Sequence, residues 1–168
     1  MTLVQSPAKT GLPPIVAADA RLLILGSLPG DASLASERYY AHPRNQFWRL
    51  LEPVAGEPLH DRDYDQRLQR LRELGIGLWD TIGSAVRRGS LDGALRAISA
   101  NPLRDLVDRL PELQAIAFNG ATASRIGRRS LVGTALDLIN LPSSSPANTV
   151  RFADKAAVWA KLVRYRGA

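Results

Sequence analysis

The sequence predicts an α/β fold, a three-layer α/β/α sandwich around a central, mainly parallel four-stranded sheet. Four short apolar runs, "RLLILGS" (21–27), "GIGLWDTIG" (75–83), "LQAIAFNG" (113–120) and "ALDLINLP" (135–142), end at or beside Gly or Pro. That is the pattern of buried parallel strands running into loops. Segments with apolar residues three and four apart lie between them, and parallel strands require such helical crossovers. At 168 residues with 45% hydrophobic content, the chain supports one core rather than two.

Residues 1–19 carry Pro7, Pro13 and Pro14 among small residues and read as an extended N-terminal arm, with a single domain over 20–168. The core begins at "RLLILGS", a short apolar run followed by Gly26 that reads as the first buried strand. "NQFWRLLEPV" (45–54) and "DYDQRLQRLREL" (63–74) follow as amphipathic helices. "NPLRDLVDRL" (101–110) presents Asn101 as a cap and Pro102 at the first helical position. "GATASRIGRR" (120–129) and "FADKAAVWAKLVRY" (152–165) complete the helical set.

Composition narrows the chemistry. The absence of cysteine excludes disulfides and thiolate metal sites, and two histidines, His42 and His60, are too few for a conventional histidine-based metal centre. No cofactor or metal is expected. No apolar run approaches a membrane span, and the N-terminus lacks a signal-peptide pattern, so a cytoplasmic protein is expected. The net charge is +6 and arginine outnumbers lysine 19 to 3, which suits a phosphate backbone, although an arginine-rich proteome would also produce it.

In a parallel sheet, ligands bind beyond the carboxyl ends of the strands, so chemistry is expected in the loops there. The densest is "YYAHPRNQFW" (39–48), with four aromatic rings, a His, an Arg and an Asn in ten residues. "GSLPGDAS" (26–33) follows the first strand but matches neither a P-loop nor a dinucleotide fingerprint. "FNGA" (118–121) and "LPSSSPAN" (141–148) follow the last two strands.

These loops, in this order, resemble the uracil-DNA glycosylase superfamily, particularly the mismatch-specific uracil and thymine glycosylases and the hypoxanthine (deoxyinosine) DNA glycosylases. Their motifs G-I-N-P-G, H-P-x-N-x-F-W, F-N-G-K and M-P-S-S-S-A-R are similar to "GSLPG", "HPRNQFW", "FNGA" and "LPSSSPA" here, over about Leu22 to Trp159. Leu28 stands where the mismatch-specific enzymes keep the Asn that holds the attacking water, and leucine cannot hold water. Asn45 then becomes the candidate catalytic residue, with Asp31 as its rival, and this pattern resembles the hypoxanthine subgroup. The resemblance implies a DNA partner, double- or single-stranded, carrying a deaminated base, and a monomer.

The resemblance also assigns base contacts. Tyr40 would stack on an extruded base, with a ring merely covering the sheet edge as the alternative. Asp80 falls near the family's base-reading Asn, or alternatively caps a "TIGSAV" helix. Asn119 would contact the base or shape its turn. Leu141 occupies a position that contacts the leaving base in other branches, and Leu28 would line the same pocket. Ser143, Ser144, Ser145, Pro146, Ala147 and Asn148 would offer hydroxyls and backbone N–H groups to a phosphate. Ser145, at the usual wedge position, is too small to fill a vacated stack, so Pro146, Asn148 or another loop must help. Arg87 and Arg88, with Arg128 and Arg129, are candidates for phosphates, and His42 reads as loop-shaping. Uracil removal, non-catalytic binding of damaged DNA, and hydrolysis of a small nucleotide stay open as rivals to hypoxanthine excision.

Overall fold

The four apolar runs become one parallel sheet in a computed structural model that describes residues 7–167. Its strands are β2 (Leu22–Gly26), β3 (Ile76–Asp80), β6 (Ala115–Asn119) and β7 (Asp137–Leu141), in the order β3-β2-β6-β7. Alternate residues of β2 serve opposite faces. Leu22 and Ile24 pack with Phe47, Leu50 and Trp159, whereas Leu23 and Leu25 pack with Leu103, Leu106, Ile116 and Phe118. Each fully buried aliphatic side chain is worth roughly 1.5–3 kcal/mol, so a run buried on both faces fixes the central layer.

Helices α2 (Phe47–Ala55), α3 (Tyr64–Glu73) and α6 (Phe152–Trp159) contribute to the first core. Helices α4 (Leu103–Val107) and α5 (Ala121–Ser130) contribute to the second. A 3-10 segment, Ala160–Tyr165, continues α6, so "FADKAAVWAKLVRY" is one helix only for its first half. Helix α1 (Asp31–Ser36) is short and follows the loop after β2.

Three expectations are corrected. "GIGLWDTIG" is not one strand, because the chain changes sheets at Thr81 and continues as β4 (Ile82–Val86). Thr81 N–H donates to Gly26 O at 2.8 Å and Ile82 N–H to Ser27 O at 3.0 Å, holding the crossing beside the end of β2. "TIGSAV" is therefore a strand, and the helix that Asp80 was to cap does not exist. β4 is the middle of an antiparallel sheet with β1 (Lys9–Thr10) and β5 (Arg96–Ala100).

Asn101 likewise does not cap α4, whose N-cap is Pro102. Its side chain reaches back and donates from Nδ2 to Asp80 O at 2.8 Å. Residues 1–6 of the expected arm lie outside the described residues. From Lys9 onward the segment is extended and docked: β1 pairs with β4, and Ile15 bridges to Leu78 on the outer edge of β3.

Candidate active site

The parallel strands end together. Gly26 is level with Asp80, and Asn119 is level with Leu141. The loops beyond these ends enclose a cleft of about 500 Å³ whose lining includes Gly26, Leu28, Tyr40, Asn45, Asp80 and Asn119. A broader depression of about 830 Å³ lies beyond the 141–148 loop, between α5 and α6, and gathers none of the strand-end groups except Leu141. The smaller cleft is where the chemistry concentrates.

The floor depends on a glycine. A Cβ on Gly26 would stand 2.5 Å from Asp80 Oδ1 and 3.1 Å from Tyr40 Oη, so any larger residue would displace the carboxyl. Asp80 is 3% exposed, and its Oδ2 is buried without a hydrogen-bond partner among the described residues. Burial, and secondarily the charge of Asp92, push its pKa up to about 7, partly opposed by Arg87. Burial also raises the pKa of Tyr40, with Asp80 adding to it, so the phenol stays protonated.

One face of Tyr40 is already occupied: its ring stacks on Phe47 with centroids 3.8 Å apart and planes 7° from parallel. A φ of +54° at Tyr40 turns the chain so that this stack forms at the cleft wall. Only the opposite face is left for a ligand. Asn119 joins the walls, donating from Nδ2 to Tyr40 Oη at 3.3 Å and to Ser144 Oγ at 2.9 Å, while its Oδ1 accepts from Ser144 N–H at 2.9 Å. It is thus a latch between β6, Tyr40 and the Ser-rich loop.

Asn45 lines the cleft, with Oδ1 accepting from Phe47 N–H at 3.0 Å. That bond orients the carboxamide and leaves a second lone pair on Oδ1 free. His42 shapes the same turn, its Nδ1 accepting from Arg44 N–H at 3.1 Å. Asp31 is on the exposed rim, and its carboxylate is bound by Lys9 Nζ at 2.6 Å.

Several expected contacts are corrected by these positions. Leu141 packs in the core under α2 and α6 and does not line the cleft. Leu28 does line it, but its side chain belongs to an apolar cluster with Ile82, Ala85, Leu95 and Ile126. Arg87 cannot meet a phosphate here: its fully buried guanidinium donates to the carbonyls of Leu28, Pro29 and Gly89, bracing the loop after β2. Arg128 is likewise engaged, with Ser124 and Asn140. Arg88 and Arg129 are exposed, Arg88 beside the cleft-lining Ser90.

The Ser-rich loop satisfies most of its own N–H groups. Those of Ser144, Ser145, Ala147 and Asn148 bond to Asn119 Oδ1, Ser143 Oγ, Ser145 Oγ and Ser145 O. They are not free for a phosphate, and Pro146 has none. Ser144 is buried, so this loop can still offer the N–H of Ser143 and the hydroxyl protons of Ser143 and Ser145.

Sequence reading missed Lys155. It is buried beneath this loop, donating from Nζ to Gln46 Oε1 at 2.9 Å, Asn148 O at 2.9 Å and Ser145 O at 3.4 Å. On α6 it looked like any surface lysine. Leu91 and Asp92, in the loop after Arg88, were missed too: Ser27 Oγ donates to Asp92 Oδ1 at 2.7 Å, and Leu91 stands 63% exposed on the lip.

The comparisons with known proteins fit this arrangement. A hypoxanthine DNA glycosylase of Methanosarcina barkeri is 37% identical over 93% of this chain and 98% of its own. One of Methanosarcina acetivorans is 36% identical over 94% and 99%. The solution NMR structure of an M. acetivorans protein described as a candidate uracil DNA glycosylase superposes with a TM-score of 0.85 at 35% identity, covering 94% of this chain and 98% of the other. Residues 13–164, which include every strand of the parallel sheet and the loops that build the cleft, match the family described as the uracil DNA glycosylase superfamily, and the chain belongs to it.

Proposed function

We propose that the protein is a monofunctional DNA glycosylase that extrudes a deaminated base, foremost hypoxanthine from deoxyinosine, and hydrolyses its N-glycosidic bond to leave an abasic site. The observation carrying this reading is the exchange of roles between two residues. Leu28 is turned into an apolar cluster, while Asn45 stands in the cleft with its carboxamide oriented by the Phe47 amide. The relatives' name supports hypoxanthine as the base.

Cleavage builds positive charge on the sugar and negative charge on the departing base. Asn45 Oδ1 accepts a hydrogen bond from the attacking water and aims its oxygen at C1′, saving orientational entropy rather than supplying a strong base. The free face of Tyr40 covers the flat purine. The 143–148 loop and exposed Arg88 hold the flanking phosphates. No lysine lines the cleft among the described residues, and strand cleavage through a Schiff base is not part of the proposal. The protein acts as a monomer in the cytoplasm; no helix among its described residues is long and apolar enough to cross a membrane.

Single-turnover release of free base from duplexes carrying one deoxyinosine, deoxyuridine or deoxyxanthosine tests the proposal. Hypoxanthine is expected to be released fastest. Binding of every lesion with no base released would make the protein a damage-binding module and overturn the reading.

Leu91 is assigned the stack vacated by the base, since Ser145 is too small and Leu91 is the exposed aliphatic side chain at the lip. Burying one leucine is worth roughly 1.5–3 kcal/mol, so Leu91→Ala is expected to slow release from duplex DNA by about tenfold or more. Release from single-stranded deoxyinosine should stay at the wild-type rate, because no stack needs filling there. Equal slowing on both substrates would remove Leu91 from this role.

A further inference from the structure

We infer that Asp80 works as a neutral carboxylic acid that donates its proton to a ring nitrogen of the departing purine. The inference rests on the glycosylase reading above and adds to it the group that neutralises the leaving base.

The geometry favours the neutral form. The Asp80 backbone is pinned by Asn101, its side chain fills the slot left by Gly26, and it lines the cleft where a base would sit. Oδ2 has no donor. From the second sheet and its loop, Arg87 and Asp92 act on the carboxyl by charge, and from the turn before α2 so do Tyr40, whose hydroxyl shares the space over Gly26 with Asp80 Oδ1, and Tyr39, whose hydroxyl donates to the carbonyls of Leu12 and Pro13. Asn119 of β6 spends its amide on Tyr40 and Ser144. Arg87 is the one cation among these groups, and its guanidinium is committed to three carbonyls and lies 3.8 Å from Asp92. A carboxylate there would be buried beside another carboxylate with no direct counter-ion, and the upward shift of its pKa agrees. Bound DNA brings phosphate charge and displaces water from the cleft, and both favour the protonated state further.

The step balances. The N9–C1′ bond breaks and its electron pair passes into the purine, while the Asp80 proton moves to N3 or N7. Neutral hypoxanthine and an Asp80 carboxylate result. The water oriented by Asn45 adds to C1′ and loses a proton to solvent, and Asp80 regains one from solvent, so no net proton is consumed. Uracil has no basic ring nitrogen to receive such a proton. An acid at this position therefore favours purine over uracil.

Single-turnover release from deoxyinosine DNA between pH 5.5 and 9 decides the matter, with wild type, Asp80→Asn and Asn45→Ala compared. The wild-type rate is expected to fall as pH rises through the Asp80 ionisation. Asp80→Asn should be slower by on the order of 10² at pH 6, show no such fall, and meet the wild type at high pH. Asn45→Ala should be slow throughout yet retain the fall. An infrared carboxylic-acid C=O band present in the wild type at pH 6 and missing in Asp80→Asn gives a second readout independent of turnover. A flat or rising wild-type profile, or a fall preserved in Asp80→Asn, overturns the acid role while leaving the glycosylase reading intact. No base release by the wild type at any pH overturns both.

Discussion

Asn45→Ala is expected to release hypoxanthine from deoxyinosine DNA more slowly than the wild type by on the order of 10²–10³, the range for removing one oriented polar group from a transition state. The variant also loses a turn-forming bond, because Asn45 Oδ1 accepts from Phe47 N–H at the start of α2. Losing such a bond costs roughly 1 kcal/mol of stability, too little to unfold a domain of this size but enough to confuse a single substitution. Asn45→Ser separates the two effects. A serine hydroxyl can accept from the same N–H, so the turn is kept, but it is too short to present a carbonyl to a water in the cleft. Asn45→Ser is expected to melt with the wild type and to be as slow as Asn45→Ala. Asp31→Ala is expected to stay within about threefold of wild type, since that carboxylate is exposed and paired with Lys9. The assignment fails if Asn45→Ser turns over normally, or if Asp31→Ala is the slow variant.

What the sequence made legible, and what it hid, follows from how far each signal travels. Leu22 to Leu25 are buried on both faces of the sheet, and such a run is visible as an unbroken apolar stretch. Strand β5 is exposed at all five positions, so "RAISA" carries no burial pattern, and only its pairing with β4 makes it a strand. The split at Thr81 was hidden because β3 and β4 are both apolar, and the change of sheet is set by bonds to Gly26 and Ser27 more than fifty residues earlier. Asp80 and Asn119 could be picked out because polar residues at the ends of apolar strands are unusual, and Tyr40 and Asn45 because their loop, "YYAHPRNQFW", crowds rings and polar groups together. Arg87 and Lys155 could not, because their residue type predicts solvent. Their burial depends on backbone carbonyls supplied by distant loops, which bind cations without leaving a mark in composition. The Ser-rich loop misled in the opposite sense, since its hydroxyls cap its own N–H groups before any phosphate can reach them.

Asp80→Asn is expected to be more stable than the wild type at pH 8 and to lose that advantage as pH falls. Folding raises the pKa of Asp80 from 3.8 to about 7, so between those values the unfolded chain is ionised while the folded one holds its proton. The folded state then binds more protons than the unfolded, and stability declines as pH rises through this window and levels off above about 7. Each tenfold in proton affinity is about 1.4 kcal/mol, which makes the full penalty roughly 4 kcal/mol. Asparagine cannot ionise and escapes it, although its buried N–H₂ lacks an acceptor and costs about 1–3 kcal/mol at every pH. Near pH 4 the variant should therefore melt at or below the wild type. From there to pH 7 the difference should move in favour of the variant by on the order of 10 °C, at about 2–4 °C per kcal/mol for a chain of this length. Parallel melting curves across that range would mean that Asp80 ionises as freely in the folded protein as in the unfolded chain. A carboxyl that weakens the fold at neutral pH is explained by chemistry rather than packing, because the same lack of partners that destabilises its charged form keeps a proton available to a base in the cleft.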